Sequence, residues 1–221
     1  MEPLILYFVL FFPGIFTSPF PAALSGTGAP ELIPFSILRE LGRTLTYTIP
    51  SLALLWYLMS DKKGFSALGD EKPRLRDAIP FAAGLPSLII IGFGVSFLAS
   101  YFSARLGLIP PPKVAAPVNI WGWIVMVLSC LFTGYLEESY FRYYLLIKLE
   151  NVIPQTAVRI LFSTALFSFC HIYEGPWGIA NAVLAGILLS VLFVRYRSLH
   201  GIAWAHGAYN IFVYVVGNFS S

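Results

Sequence analysis

The sequence predicts an all-α fold: a polytopic membrane helix bundle with about seven transmembrane helices (six to eight). Charged residues make up only 11% of the 221 residues, against about 25% in soluble domains. Four stretches of 20 or more residues contain no charged residue at all, and each can cross ~30 Å of hydrocarbon as a helix. These stretches are Ala78–Ala104, Val114–Leu136, Gly175–Val194 and Ser198–Ser221.

Three further segments complete the predicted bundle. Leu4–Phe16 is short, Leu32–Met59 begins with charged residues and then becomes apolar, and Thr156–Tyr173 is mostly apolar. We expect the fourth helix to continue to about Lys148. Together these segments predict one integral membrane domain over residues 1–221, surrounded by the lipid bilayer.

The charge balance and the cysteines argue against two classes of protein. The net charge of +3 is small and its basic residues are scattered, so we expect no nucleic-acid partner. Cys130 and Cys170 lie in apolar runs without a CxxC motif, which argues against a disulfide framework. We interpret both as buried apolar residues.

The first unusual polar cluster, Glu137, Glu138 and Arg142, lies in the fourth helix directly after its charge-free stretch. Arg142 follows Glu138 by four residues, the spacing at which side chains meet on a helix, so we predict an internal Glu138–Arg142 ion pair. Glu137 lies about 100° round the helix and has no equally well-placed local partner, which leaves it available for chemistry. The alternative is an interfacial helix end whose charges reach water.

Two further clusters lie in helices that are otherwise apolar. His171 follows Phe167 by four residues, and Asn210 follows His206 by four residues. Each cluster alone is also compatible with a structural hydrogen bond. Because polar groups in hydrocarbon must find each other or water, we predict that Glu137, His171, His206 and Asn210 share one cavity. The set contains a general base, imidazoles and an amide donor, as a hydrolytic site requires.

The three clusters, taken in order, resemble the motifs of a known family. EESYFR, FSFCH and HGAYN match Glu-Glu-x-x-x-Arg, Phe-x-x-x-His and His-x-x-x-Asn of the CAAX protease and bacteriocin-processing (CPBP, or Abi) intramembrane proteases. This family includes the type II CAAX prenyl endopeptidases. The resemblance covers residues 114–212, which carry all three motifs, whereas the preceding residues support only the membrane assignment.

The resemblance implies an intramembrane endopeptidase that hydrolyses membrane-associated or lipid-anchored substrates, by CAAX-type or similar C-terminal processing. It implies that Glu137 and His171 activate the attacking water, and that His206 and Asn210 stabilise the oxyanion. The predicted ion pair would support the geometry of the site. The resemblance implies that the partner is a membrane-anchored protein or peptide. The sequence does not indicate whether this substrate carries a prenyl group, and it does not indicate the oligomeric state of the protein.

The cofactor is open at this point. Glu137, His171 and His206 could supply three ligands to a divalent metal such as zinc and leave a fourth position for water, and the family's members have often been described as metalloproteases. The sequence has no HExxH pair, the strong local signature of zinc. A metal-free Glu/His site explains the residues equally well, and we slightly prefer it.

Basic residues are distributed unevenly between the two ends of the predicted helices. The larger group comprises Lys62, Lys63, Lys72, Arg74, Arg76, Lys148, Arg159, Arg195 and Arg197. The smaller group comprises Arg39, Arg43, Arg105 and Lys113. The positive-inside rule places the larger group in the cytoplasm. We therefore expect a protein of the cell (inner) membrane whose active-site cavity opens toward the cytoplasmic leaflet.

Two other functions are compatible with the same residues. A proton-coupled transporter could use the buried Glu and His side chains as a relay, although the sequence shows no internal repeat. A non-catalytic membrane immunity or scaffold protein could keep the fold without the chemistry. A cleavage assay distinguishes the enzyme from the scaffold, and a proton-flux assay distinguishes it from the transporter.

Overall fold

Helices form all of the regular secondary structure in the described residues, which confirms the predicted all-α bundle. The structure is a computed structural model that describes residues 2–12, 34–60, 72–106 and 115–219. Seven helices follow one another in these ranges: α1 (Glu2–Leu10), α2 (37–60, joining Ile37–Arg43, the π-helical Thr44–Thr48 and Ile49–Ser60), α3 (Ala78–Leu106), α4 (Ile120–Glu150), α5 (Thr156–Phe169), α6 (Gly175–Tyr196) and α7 (Leu199–Phe219).

Three of these helices are long and apolar enough to cross a membrane. They are α3, α4 and α6. The membrane-spanning ranges are Leu75–Phe102 for α3, Ile120–Glu150 for α4 and Ile172–Tyr196 for α6, where the ranges of α3 and α6 include the 3₁₀ turn before each helix. Helix α5 is too short at 14 residues, while α2 and α7 contain polar residues that reduce their hydropathy. The expected first segment, Leu4–Phe16, extends past Phe12 into residues outside the described ranges.

The centre of the bundle is a π-helical segment of α4, Ser139–Leu145, in which all seven residues are buried. Phe141 of this segment packs edge-on against Phe167 of α5, with 5.2 Å between ring centroids, and lies 4.8 Å from Phe11. π-Helical turns are rare and frequently occur at functional sites. This one begins directly after Glu138, where the first polar motif lies.

One end of the bundle brings together basic residues from several helices. Glu150, at the end of α4, pairs with Arg197 at 2.8 Å and with Arg159 at 3.8 Å. Ser198, between α6 and α7, donates a 2.7 Å hydrogen bond to Asp77 before α3. These contacts place the ends of five helices together, on the side of the larger basic group. Three basic residues named above lie outside the described ranges: Lys62, Lys63 and Lys113.

Helices α4 and α7 cross closely at a pair of glycines, Gly134 and Gly207. A Cβ atom on Gly134 would lie 2.9 Å from both the Ala203 carbonyl oxygen and the Gly207 nitrogen. Small residues permit this close approach of two helix backbones. The crossing lies one turn from Glu138 on α4 and directly beside His206 on α7, so it brings these two side chains together.

We predict that Gly134→Ala destabilises the protein by about 1–3 kcal/mol, because the backbone atoms that face the added methyl group cannot move aside as a side chain can. The measurement is the thermal unfolding midpoint of the purified protein in detergent, which should fall. Gly94→Ala is the matched control, since nothing lies within 4 Å of its Cβ position and alanine is the better helix former. A Gly134→Ala midpoint at or above the wild-type value would contradict the close crossing.

Candidate active site

Glu138 lies at the centre of the candidate site, with a side chain that is 0% exposed. The equally buried Arg142 donates from Nη1 to Glu138 Oε1 at 3.0 Å. His206 of α7 brings its Nδ1 to 2.7 Å from the same oxygen. The ion pair predicted from the four-residue spacing is therefore present, and α7 adds a second partner that this spacing did not indicate.

His206 lies between the two adjacent carboxylates. Because Glu138 accepts at Nδ1, this nitrogen carries a proton, and Nε2 lies 3.6 Å from Glu137 Oε2. If both ring nitrogens are protonated, the charges of the two glutamates, Arg142 and His206 sum to zero. A neutral cluster of this kind reduces the cost of burying its members.

Glu137 is the more accessible of the two glutamates, with 16% of its side chain exposed. Among the described residues, no donor is hydrogen-bonded to its Oε2 atom. A buried acceptor without a partner is energetically costly, so this oxygen favours a bound water or a substrate group. Arg43 of α2 and Glu174, just before α6, also interact electrostatically with Glu137.

Phe167 of α5 connects the Arg142 cluster to His171. The Arg142 guanidinium lies 4.3 Å from the centroid of the Phe167 ring, a favourable cation–π arrangement, and the His206 ring packs edge-on at 6.1 Å. The His171 ring lies 4.6 Å from Phe167, and its Nδ1 is 2.8 Å from the Phe167 carbonyl oxygen. This acceptor fixes the proton of a neutral His171 on Nδ1 and leaves Nε2 as an acceptor.

His171 lies just beyond α5, although the sequence predicted a helix that continued to Tyr173. Helix α5 ends at Phe169, and Ile172–Glu174 forms a single 3₁₀ turn. Gly175 follows with φ of 78°, a conformation that favours glycine, and Pro176 lies in the first turn of α6. The Gly-Pro pair therefore starts a new helix and places His171 at a bend.

Asn210 is half-buried on α7, one turn beyond His206. Within the described ranges it forms no hydrogen bond with Glu137, Glu138 or His206. The structure thus brings Glu137 and His206 into direct proximity, links His171 to them through Phe167, and leaves Asn210 adjacent to them along the helix.

The candidate metal ligands do not form a metal-binding arrangement. Among the described residues, no group of three His, Cys, Asp or Glu side chains could hold a metal ion. His206 directs Nδ1 to Glu138, and the Phe167 carbonyl occupies His171 Nδ1. These bonds leave only Nε2 of each ring for a ligand, and the described Glu137, His171 and His206 side chains are not placed so that all three reach one ion.

The sequence interpretation gave no site role to Arg43 or Glu174. Arg43 reaches α4 and hydrogen-bonds Thr133 at 3.2 Å, one turn from Glu137. Its sequence signal is Glu40 three residues earlier, an ion-pair spacing inside a predicted membrane segment. Glu174 lies next to the Gly-Pro pair, where the chain turns. Because of this turn, the spacing along the sequence does not indicate that Glu174 lies close to the site.

We predict that Arg142→Met destabilises the protein by about 3–5 kcal/mol, because it leaves the Glu138 carboxylate buried without its cation. Thermal unfolding in detergent should show a lower midpoint, and adding Glu138→Gln should recover part of the loss. Arg105→Met is the control, since Arg105 is exposed in the last turn of α3. If both methionine variants unfold at the same temperature, the buried ion pair does not have the stabilising role assigned to it.

Comparison with known proteins gives a family match over part of the chain. Residues 119–212 match the family model described as "Type II CAAX prenyl endopeptidase Rce1-like", whereas no curated protein and no solved structure gives a significant match. The matched residues include α4 to α6, the first two thirds of α7 and all three motifs, in agreement with the CPBP resemblance, and they favour a protease over a transporter or a scaffold. Over residues 119–212, this integral membrane protein is similar to the Rce1-like type II CAAX prenyl endopeptidase family.

Proposed function

We propose that this protein is an intramembrane endopeptidase that hydrolyses membrane-associated or lipid-anchored proteins by CAAX-type or similar C-terminal processing. The observation that carries the proposal is the pairing of a partly accessible carboxylate with a buried imidazole, 3.6 Å apart between Glu137 Oε2 and His206 Nε2. This pair lies within the residues that match a prenyl endopeptidase family. The substrate is then a membrane-anchored protein or peptide that reaches the site from the bilayer.

Water attack is the first step of the proposed reaction. Glu137 accepts a proton from water while the water oxygen bonds to the scissile carbonyl carbon, and His171 Nε2 accepts the second water hydrogen to orient the nucleophile. Two observations support these roles: Glu137 Oε2 accepts no hydrogen bond from the described residues, and the Phe167 carbonyl fixes the Nδ1–H of His171. General-base catalysis of this kind contributes typically 10²–10⁴ in rate.

Residues of α7 stabilise the tetrahedral oxyanion in the proposed reaction. His206 Nε2–H and the Asn210 amide donate to the oxyanion, and preorganised donors of this type are worth about 10²–10³ each. Glu138 holds the imidazole in place through Nδ1, and Arg142 compensates the Glu138 charge. In the second step, Glu137 returns its proton to the leaving nitrogen as the C–N bond breaks, giving a carboxylic acid and an amine.

We further propose that the protein resides in the cell (inner) membrane with its site open toward the cytoplasmic leaflet. The support is the bundle end at which Arg159, Arg197 and Lys148 lie, because basic loops favour the cytoplasm and anionic lipids there attract them. The chemistry that we propose is metal-free, with both proton transfers carried by Glu137.

We predict that Glu137→Gln reduces kcat/KM for cleavage of a prenylated CAAX peptide by at least ~10²-fold, because the amide cannot accept the water proton. Cleavage is measured by mass spectrometry with full-length protein in liposomes. Glu150→Gln is the matched control: Glu150 pairs with Arg197 and Arg159 at the bundle end, so its loss should leave cleavage within a few-fold of wild type. Full activity of Glu137→Gln, or no cleavage by wild type, would overturn the proposal.

A further inference from the structure

Polar side chains continue from the proposed catalytic groups along two neighbouring helices. On α4, Ser129 and Thr133 precede Glu137 at intervals of four residues. On α7, Asn210 and Tyr214 follow the catalytic histidine at the same interval. Residues four apart share one helix face, and α4 and α7 pack together at their glycine crossing. A polar track therefore runs from Glu137 toward the start of α4.

Arg43 of α2 lies on this track. Its guanidinium donates from Nη1 to Thr133 Oγ1 at 3.2 Å and from Nη2 to Ser129 Oγ at 2.8 Å. Nε and Nη2 also donate to Glu40 Oε2, at 3.3 and 3.0 Å, and Ser129 Oγ donates to the same oxygen at 3.0 Å. Three side chains from two helices thus hold the guanidinium in one position.

The Arg43 guanidinium is fixed by hydrogen bonds but remains accessible to a further ligand. A guanidinium has five N–H groups, and the bonds to described residues use four of them, so one Nη1–H is left for a further acceptor. The side chain is also 42% exposed, although it lies between helices of a membrane bundle. Arginine is the side chain best suited to bind a carboxylate.

The distance from Arg43 to Glu137 matches a short peptide. Ser129 and Thr133, which Arg43 contacts, lie eight and four residues before Glu137, or ~12 and ~6 Å along α4. A scissile bond inside a four-residue C-terminal motif has at most three residues after it. Three extended residues span about 10 Å, so a carboxylate at the end of such a peptide reaches Arg43 while the scissile bond lies at Glu137.

We propose that Arg43 binds the C-terminal carboxylate of the substrate and so selects peptides whose scissile bond lies within three residues of the chain end. The inference rests on the proposed function and names the substrate group that the site recognises. It gives a specificity-determining role to α2, which lies outside the matched residues 119–212. Glu40, Ser129 and Thr133 position the guanidinium.

The test compares two prenylated CAAX peptides, one with a free C-terminal carboxylate and one with a carboxamide, with full-length protein in liposomes. Wild type should cleave the free acid with a kcat/KM about 10- to 100-fold higher, because a charge-assisted hydrogen bond is lost with the amide. Arg43→Gln should cleave the acid and the amide at similar rates, so that the preference for the acid is lost. The matched control is Arg39→Gln on the same helix, where Arg39 is exposed and donates to the Pro34 carbonyl oxygen; it should keep the preference.

Amide cleavage also reports whether each variant folds. If Arg43→Gln cleaves neither peptide, Arg43→Lys replaces it: the ammonium keeps the charge and should retain a reduced preference for the acid. Three results would each overturn the carboxylate site without affecting the proposed function. They are equal cleavage of both peptides by wild type, a preference for the acid that is unchanged in Arg43→Gln, and the loss of that preference in an active Arg43→Lys. Failure of wild type to cleave either peptide would instead overturn the proposed function, and the carboxylate site with it.

Discussion

Burial of the Glu138 carboxylate is the constraint on which the rest of the site depends. A charge at membrane depth is stable only with a compensating partner, and Glu138 has two, Arg142 on its own helix and His206 on α7. The second partner requires α4 and α7 to approach closely, which Gly134 and Gly207 permit. One buried charge therefore links helix packing to the orientation of an imidazole.

The adjacent glutamate has a different environment although it is one residue away. A helix turns about 100° per residue, so Glu137 avoids Arg142 and lies beside the other ring nitrogen of His206. The partial exposure of the Glu137 side chain suits proton transfer, whereas Glu138 is fully buried and its Oε1 is bonded by Arg142 and His206, which suits support. The Glu-Glu pair thus places a structural and a chemically available carboxylate around one histidine.

The helices and the local ion pair could be predicted because their signals lie within short stretches of sequence. Charge-free runs locate the long helices, and the i, i+4 spacing gives Glu138–Arg142. The Glu138–His206 contact could not be predicted in this way, because it joins positions 68 residues apart and depends on how α4 and α7 pack. The role of Arg43 could not be predicted for the same reason. The end of α5 was predicted too late, because the chain turns toward Gly175 while the apolar sequence pattern still continues.

In the proposed reaction, water oriented by protein side chains attacks the peptide bond directly. Single-turnover cleavage of a prenylated peptide in H₂¹⁸O, with enzyme in excess, tests it most directly. Direct attack by water should place one ¹⁸O atom in the new C-terminal carboxylate of the product in the first turnover. A first-turnover product without ¹⁸O, with its oxygen supplied by the Glu137 carboxylate through a covalent anhydride, would contradict direct attack by water.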